Sequence, residues 1–338
     1  MTNYDIFDEP YYLAQYPWVK PAIDAGVIKS GREHFEKFGQ AGGLTKVSRY
    51  FDEETYLAQN PDIAPFVRTP NNPNAPFASG LDQFIQFGYE EGRTRVSPEY
   101  NEDFYLANNQ DLLPFVQNGT FKNGYQHFIK FGNEEGRFAT SLWERLYLIE
   151  NPDLEPFVNS GALKTGREHY FKFGQFEGRS ATFFGTPGND ILTGVGVGNV
   201  RLIGVGAGYG LSKSDGSNEF DTLIGGPGRD SFVLGETILS RRLSIVGSNN
   251  FYIGPGFATI RNFTQGQDRI EFSGSSDSFI LVPTNNNRDL AIQTNGLTFY
   301  RNGVSQISRG DTIAVIEGGG NLKLNLLPEW SEPTLVLG

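Results

Sequence analysis

Four tyrosine–leucine pairs, Tyr12-Leu13, Tyr56-Leu57, Tyr105-Leu106 and Tyr147-Leu148, stand 44, 49 and 42 residues apart and open four versions of one unit. Recurrence at that length restricts residues 1–180 to an array of small modules, each too short to bury its apolar face alone. Every unit runs on to a Phe-Gly pair: Phe38-Gly39, Phe87-Gly88, Phe131-Gly132 and Phe173-Gly174. Three units close on Glu-Gly-Arg, at Glu91-Gly92-Arg93, Glu135-Gly136-Arg137 and Glu177-Gly178-Arg179, whereas the first reads Ala41-Gly42-Gly43.

Helix punctuation is legible inside the units. Asp52-Glu53-Glu54 predicts a short helix carrying Tyr56 and Leu57. Asn60-Pro61-Asp62 predicts a second, with asparagine as cap and proline in the first turn. Ser30, Ser79, Asn123 and Thr165 predict the start of a further helix, and Ser30 with Glu33 and Thr165 with Glu168 form capping boxes. The three-residue spacing of Phe35 and Phe38, Phe84 and Phe87, Phe128 and Phe131, and Tyr170 and Phe173 puts each pair on one buried helix face. Gly39, Gly88, Gly132 and Gly174 take the left-handed position that ends a helix. His34, His127 and His169 share one slot, filled by Gln83 in the second unit. A residue recurring at the repeat period reads as scaffold, bonding a backbone carbonyl, rather than as a catalytic base. These units resemble short helical modules of secreted cyanobacterial proteins, which are often joined to calcium-binding rolls.

The second half changes character. Gly225-Gly226-Pro227-Gly228-Arg229-Asp230-Ser231-Phe232-Val233 spells G-G-x-G-x-D-x-U-x, where U is a large apolar residue. Gly216 to Ile224 keeps the first glycine, Asp221 and the apolar residue of that frame, and Gly185 to Thr193 repeats it around Asp190. Glycine permits positive φ, so carbonyls can turn toward a cation. Aspartate adds the hard anionic oxygen that Ca²⁺ prefers. Phe232 then starts a strand and points inward.

These nonapeptides resemble the RTX, or haemolysin-type, calcium-binding repeat. The resemblance implies a right-handed parallel β-roll. It implies Ca²⁺ held by Asp190, Asp221 and Asp230, with the backbone carbonyls of Gly185, Gly188, Gly225, Gly226 and Gly228. It also implies export through a one-step (type I) secretion apparatus. The frame is damaged: Val200 stands where aspartate belongs, and Gly204 to Asp215 loses the spacing. In this family each ion lies between loops two turns apart on one edge of the roll. Asp230 and Asp190 would then face the turn of Ser214 and Asp215, and Asp221 that of Val200. About one or two weakly held ions are implied, or a vestigial roll that folds without metal.

Composition narrows the function. A net charge of −11 argues against nucleic acid, which demands a basic patch. Residues 181–338 hold 14 acidic and 11 basic side chains, so the calcium-box region is only mildly acidic, which also suggests few sites. With no cysteine, disulfides and thiolate metal sites are unavailable, and metal-dependent folding is a reasonable substitute for an exported chain. Met1 to Pro10 lacks the basic start and apolar run of a cleavable signal peptide, and no stretch reaches the length of a membrane span. The nonapeptides favour an uncleaved export signal in the tail after Gly310, where Lys323 is the only cation.

Alternating apolar residues from Phe251 onward predict strands broken by Gly, Pro, Asn and Asp. Asp268 and Asp311 open strands in patterns resembling the sheet that caps calcium rolls, and are read as turn residues. Arg309-Gly310-Asp311 falls inside that pattern and is a coincidence, and the acceptor-like Asn118-Gly119-Thr120 and Asn262-Phe263-Thr264 carry no information. No G-x-S-x-G, H-E-x-x-H or phosphate-binding glycine loop is present, so the chain reads as a non-enzyme. The expected architecture is α + β and multidomain. It has four helical repeats over 1–180, a degenerate calcium β-roll over 181–235, and a β-rich cap with an export signal over 236–338. The expected function is a secreted or cell-surface calcium-binding protein. The alternative is an adhesion or matrix module binding a polysaccharide or surface protein through the helical repeats.

Overall fold

In the computed structural model, which describes residues 3–208, 211–212, 214–239, 245–273, 276–301, 304–325 and 334–337, every tyrosine–leucine pair lies on a short helix. Those helices are Glu9–Gln15, Glu53–Gln59, Glu102–Asn108 and Glu144–Glu150. Part of the irregular glycine stretch (209–210 and 213) and part of the expected export signal (326–333 and 338) lie outside the described residues. The chain forms two compact units, Met1–Thr140 with Leu148–His169, and Ser141–Tyr147 with Tyr170–Gly338.

The first unit is held by aromatic pairs and by adjacent side chains that cap two different helices. Asp8, Asp52 and Asn101 accept from the third backbone N–H of their own helices. The next side chain along, Glu9, Glu53 or Glu102, reaches out to the start of a later helix and accepts its first two N–H groups, at Gly31 and Arg32, Gly80 and Leu81, or Gly124 and Tyr125. These are donors that a helix cannot satisfy internally. The predicted caps Ser30, Ser79, Asn123 and Thr165 accept from the third residue on, as expected. Tyr12, Tyr56 and Tyr105 are buried edge-on against Phe35, Phe84 and Phe128 at centroid distances of 5.8, 5.3 and 5.5 Å.

Two sequence expectations fail for one reason, the winding of the helix. Phe35–Gly39, Phe84–Gly88 and Phe128–Gly132 are π-wound, with bonds such as Gln40 N–H to Phe35 C=O at 2.9 Å. The wider turn rotates the residue three positions on away from the core. Phe38, Phe87 and Phe131 are therefore 49–59% exposed instead of buried. Gly39, Gly88 and Gly132 are right-handed, and the left-handed glycines come four residues later, at Gly43, Gly92 and Gly136. There the N–H of Arg93 closes on Gly88 C=O and that of Arg137 on Gly132 C=O, at 3.0 and 2.9 Å. Asn60 does not cap forward: its amide bonds the Tyr56 carbonyl behind it.

The glutamate and arginine of the Glu-Gly-Arg triplet bond each other, and the arginine runs on to that asparagine. Arg93 bonds Asn60, Asp62 and Glu91, and Arg137 bonds Asn109, Asp111 and Glu135. Each arginine ties the end of its unit to the turn that follows the first helix.

The second unit contains fourteen strands among its described residues: β1 (Ala181–Gly185), β2 (Ile191–Thr193), β3 (Asn199–Gly208), β4 (Leu211–Ser212), β5 (Phe220–Ile224), β6 (Arg229–Val233), β7 (Gly235–Leu239), β8 (Ile245–Asn250), β9 (Phe257–Arg261), β10 (Arg269–Ser273), β11 (Phe279–Thr284), β12 (Asp289–Arg301), β13 (Val304–Ile316) and β14 (Thr334–Leu337). The chain visits two sheets alternately. β1, β3, β6 and β10 pair in parallel in one, and β2, β5, β9 and β13 in the other. Antiparallel strands extend both: β14 lies on β10, and β12 and β11 follow β13.

Register stacks like residues. Phe183, Leu202, Phe232 and Ile270 form one apolar column, and Leu192, Leu223, Ile260 and Ile316 another. The apolar position of the nine-residue frame supplies both, and Phe232 is fully buried.

Candidate functional site

The aspartates of the nonapeptides line up in two further columns, one per sheet. In the β3–β6–β10 sheet, Val200 lies beside Asp230, and Asp268 comes next in register. In the β2–β5–β9 sheet, Asp190 lies beside Asp221, followed by Ala258. Both columns follow one hydrogen-bonding rule. The backbone N–H of Asp190 donates to Asp221 Oδ1 at 2.8 Å, and that of Asp230 to Asp268 Oδ1 at 2.9 Å. Asp190, Asp230 and Asp268 also accept, through Oδ2, the N–H four residues back, at Thr186, Gly226 and Thr264 (2.6, 2.7 and 2.8 Å). The carboxylate closes its own turn, and the N–H beside it ties that turn to the next.

Asp230 and Asp268 therefore come together, as do Asp190 and Asp221. Asp230 bonds Gly226 and Asp268 rather than the Ser214–Asp215 turn, and Asp221 bonds Asp190 and Tyr252 rather than the Val200 turn. Asp268 was read from the sequence as a turn residue, but it is a buried member of the column. Its signal was available: Gly266-Gln267-Asp268-Arg269-Ile270 repeats the Gly-x-Asp-x-apolar spacing of Gly228 to Phe232.

Gly185, Gly188, Gly225, Gly226 and Gly228 all lack positive φ. Four of them are places of close approach. A β-carbon on Gly185 would strike the Gly204 carbonyl, one on Gly226 the Gly194 carbonyl, and one on Gly228 the Gly198 carbonyl. On Gly225 it would lie 3.0 Å from the Asn262 carbonyl and 3.2 Å from Asp230 Oδ2. Only Gly188 has room. Glycine is needed because one turn rests directly on the backbone of another.

Burial sets the electrostatics. It pushes the Asp230 and Asp221 carboxyls up to about 6, against the pull of Gly226 N–H on the first and of the Tyr252 hydroxyl on the second. Burial raises Asp190 and Asp268 as well, and lifts Glu219, 6% exposed, to about 7. Asp230 is fully buried, and its Oδ1 has no hydrogen-bond partner. That oxygen faces Gly194, whose β-carbon, if present, would lie 2.6 Å from it. An ionised carboxylate buried in this way needs a proton or a cation.

Calcium takes six to eight oxygens, which two carboxylates do not supply alone. Among the described residues no three or more Asp, Glu or His side chains form a metal-holding group. At Asp230 one hard anionic oxygen, Oδ1, is left open to an oxygen-seeking cation. At Asp221 the fit is poor, because both oxygens are taken.

The histidines bond a phenol instead of a backbone carbonyl. Tyr12 Oη pairs with His34 Nδ1 and Tyr105 Oη with His127 Nδ1, both at 2.8 Å and buried. In the stretch that opens on Tyr56-Leu57, Tyr56 donates to Gln83 Oε1. Burial lowers the pKa of His34 and His127, so the neutral imidazole is the form that meets the phenol.

Among the described residues no helix is long and apolar enough to cross a membrane. No protein-family model matches the chain, and comparison with curated proteins gave no match.

Proposed function

We propose that the protein is a secreted or cell-surface calcium-binding protein. In this reading residues 181–235 form the core of a parallel β-roll, 1–180 an array of four helical repeats, and 236–338 the cap and export signal, recognised by a type I secretion apparatus. The roll takes calcium at Asp230, through the open Oδ1. The observation that carries the reading is the Asp230 carboxylate, sealed from solvent with one oxygen unpaired. Binding outside the cell would convert the cost of that buried charge into folding free energy.

The test is thermal unfolding and titration calorimetry of the full chain with about millimolar Ca²⁺, the range of weak extracellular modules, against Mg²⁺ and against chelator. Calcium should raise the unfolding temperature with saturable uptake, magnesium should do so less, and Asp230→Asn should remove the response. No uptake by the parent, together with an Asp230→Asn variant that melts as the parent does, overturns the reading. The helical array would then be the working part, as an adhesion module on a metal-free scaffold.

A further inference from the structure

Tyr252 has a backbone that few aromatic residues adopt, with φ +63°, and it is fully buried. It stands between β8 and β9, where its N–H donates to Asp215 C=O at 2.7 Å. Its hydroxyl donates to Asp221 Oδ2 at 2.6 Å, while Asp221 Oδ1 accepts from Asp190 N–H. Two glycines clear the way. A β-carbon on Gly216 would lie 2.7 Å from Tyr252 Cδ1, and one on Gly204 would lie 2.6 Å from Asp221 Oδ2 and collide with the phenol oxygen. A strained tyrosine, two bare backbone positions and a buried carboxylate thus meet at one point. At Asp230 no such hydroxyl arrives, and Oδ1 stays unpaired.

We infer that Tyr252 is a built-in substitute for a cation at the Asp190–Asp221 column, so that this column is closed without metal and calcium is confined to the Asp230 turn. The physical logic is direct. A buried carboxylate is stabilised by a donor aimed at each oxygen or by a positive ion, and a phenol O–H held in place supplies the former. With both Asp221 oxygens occupied, a calcium ion would have to displace a fixed hydrogen bond inside a packed core. The column becomes a permanent staple between turns.

The inference rests on the calcium reading for its second half only, and the test separates the two. In chelator, Tyr252→Phe should unfold about 5 °C below the parent, because Asp221 Oδ2 is left buried without a donor. Asp221→Asn keeps an acceptor for Asp190 N–H and should retain the parent's calcium-induced rise in unfolding temperature, which Asp230→Asn loses. A Tyr252→Phe protein that melts with the parent in chelator overturns the substitution. So does an Asp221→Asn protein that loses the calcium response. If the parent itself shows no calcium response, the Asp230 reading falls, and the chelator comparison alone decides the role of Tyr252.

Discussion

Gly132→Ala should be among the most damaging single-methyl changes in the helical half. The new β-carbon would overlap the Tyr105 hydroxyl and lie 3.3 Å from His127 Nδ1, the two groups that share the buried hydrogen bond. Tyr105 cannot yield easily, because its ring is wedged against Phe128 and Tyr100 at centroid distances of 5.5 and 5.4 Å. Overpacking costs about 1–3 kcal/mol, and a buried phenol and imidazole driven apart cost about 1–3 kcal/mol more. Alanine returns about 1 kcal/mol through helix propensity. The net loss is about 3 kcal/mol, a fall of roughly 6–12 °C in unfolding temperature. The structure also supplies a ranking. At Gly88 and Gly39 the same β-carbon would sit 2.6 and 2.7 Å from the hydroxyls of Tyr56 and Tyr12, so those alanine variants should be milder. Denaturant melts followed by far-ultraviolet circular dichroism measure all three. A Gly132→Ala protein within about 0.5 kcal/mol of the parent, the scatter of ordinary surface changes, would refute the close-approach argument.

Two further outcomes follow from the same geometry. His127→Gln should be nearly neutral and His127→Ala clearly destabilising, because Gln83 already accepts the equivalent tyrosine hydroxyl in the stretch that opens on Tyr56-Leu57; equal melting losses for the two variants would mean the imidazole does something a carboxamide cannot. In chelator the β-rich half should be more stable at pH 5.5 than at pH 7.5. Asp221 and Asp230 titrate near 6 and Glu219 near 7 when folded, above their values of 3.8 and 4.5 in the absence of burial, so the folded state holds more protons between about pH 4 and 7 and loses stability as pH rises through that window. Saturating calcium should remove only the Asp230 share of the dependence, leaving that of Asp221 and Glu219, and a melting temperature that rises from pH 5.5 to 7.5 in chelator would contradict it.

What the sequence made legible divides along a physical line. Local rules were readable: the caps Asp52, Ser30, Ser79, Asn123 and Thr165 behave as side-chain chemistry requires, and the apolar residue two places after Asp221, Asp230 and Asp268 is buried by register. Readings that depended on the winding of a helix or on a distant neighbour were not. Phe38 and Phe35 share a face only at 3.6 residues per turn, and nothing in the composition of Phe35 to Gly39 announces the π-turn. Tyr252 lies 31 residues from Asp221 and outside every nonapeptide, so no spacing rule connects them. Four of the five nonapeptide glycines make a close approach and none has a positive φ, and the two requirements leave the same mark on a sequence.

The first unit shows how far such marks can be decoded once partners are known. Gly43, at φ +73°, is the counterpart of Gly92 and Gly136, so the equivalent of Glu-Gly-Arg is Gly42-Gly43-Leu44, one residue later than the sequence suggested. Arg93 depends on Asn60, Asp62 and Glu91, and the first unit has Tyr16, Trp18 and Gly42 at those places. Losing the arginine alone would leave acidic partners uncompensated; losing the partners alone would leave a cation over a hydrophobic turn. All four changed together. The site is now aromatic, with Tyr16 against Tyr12 at 4.8 Å and Trp18 at 6.2 Å, and Leu44 close to Gly39. The tie between the unit's end and the turn after its first helix is here a single hydrogen bond, from the Lys46 N–H to the Tyr16 hydroxyl at 3.1 Å. The unit that departs most from the pattern therefore obeys the same constraint.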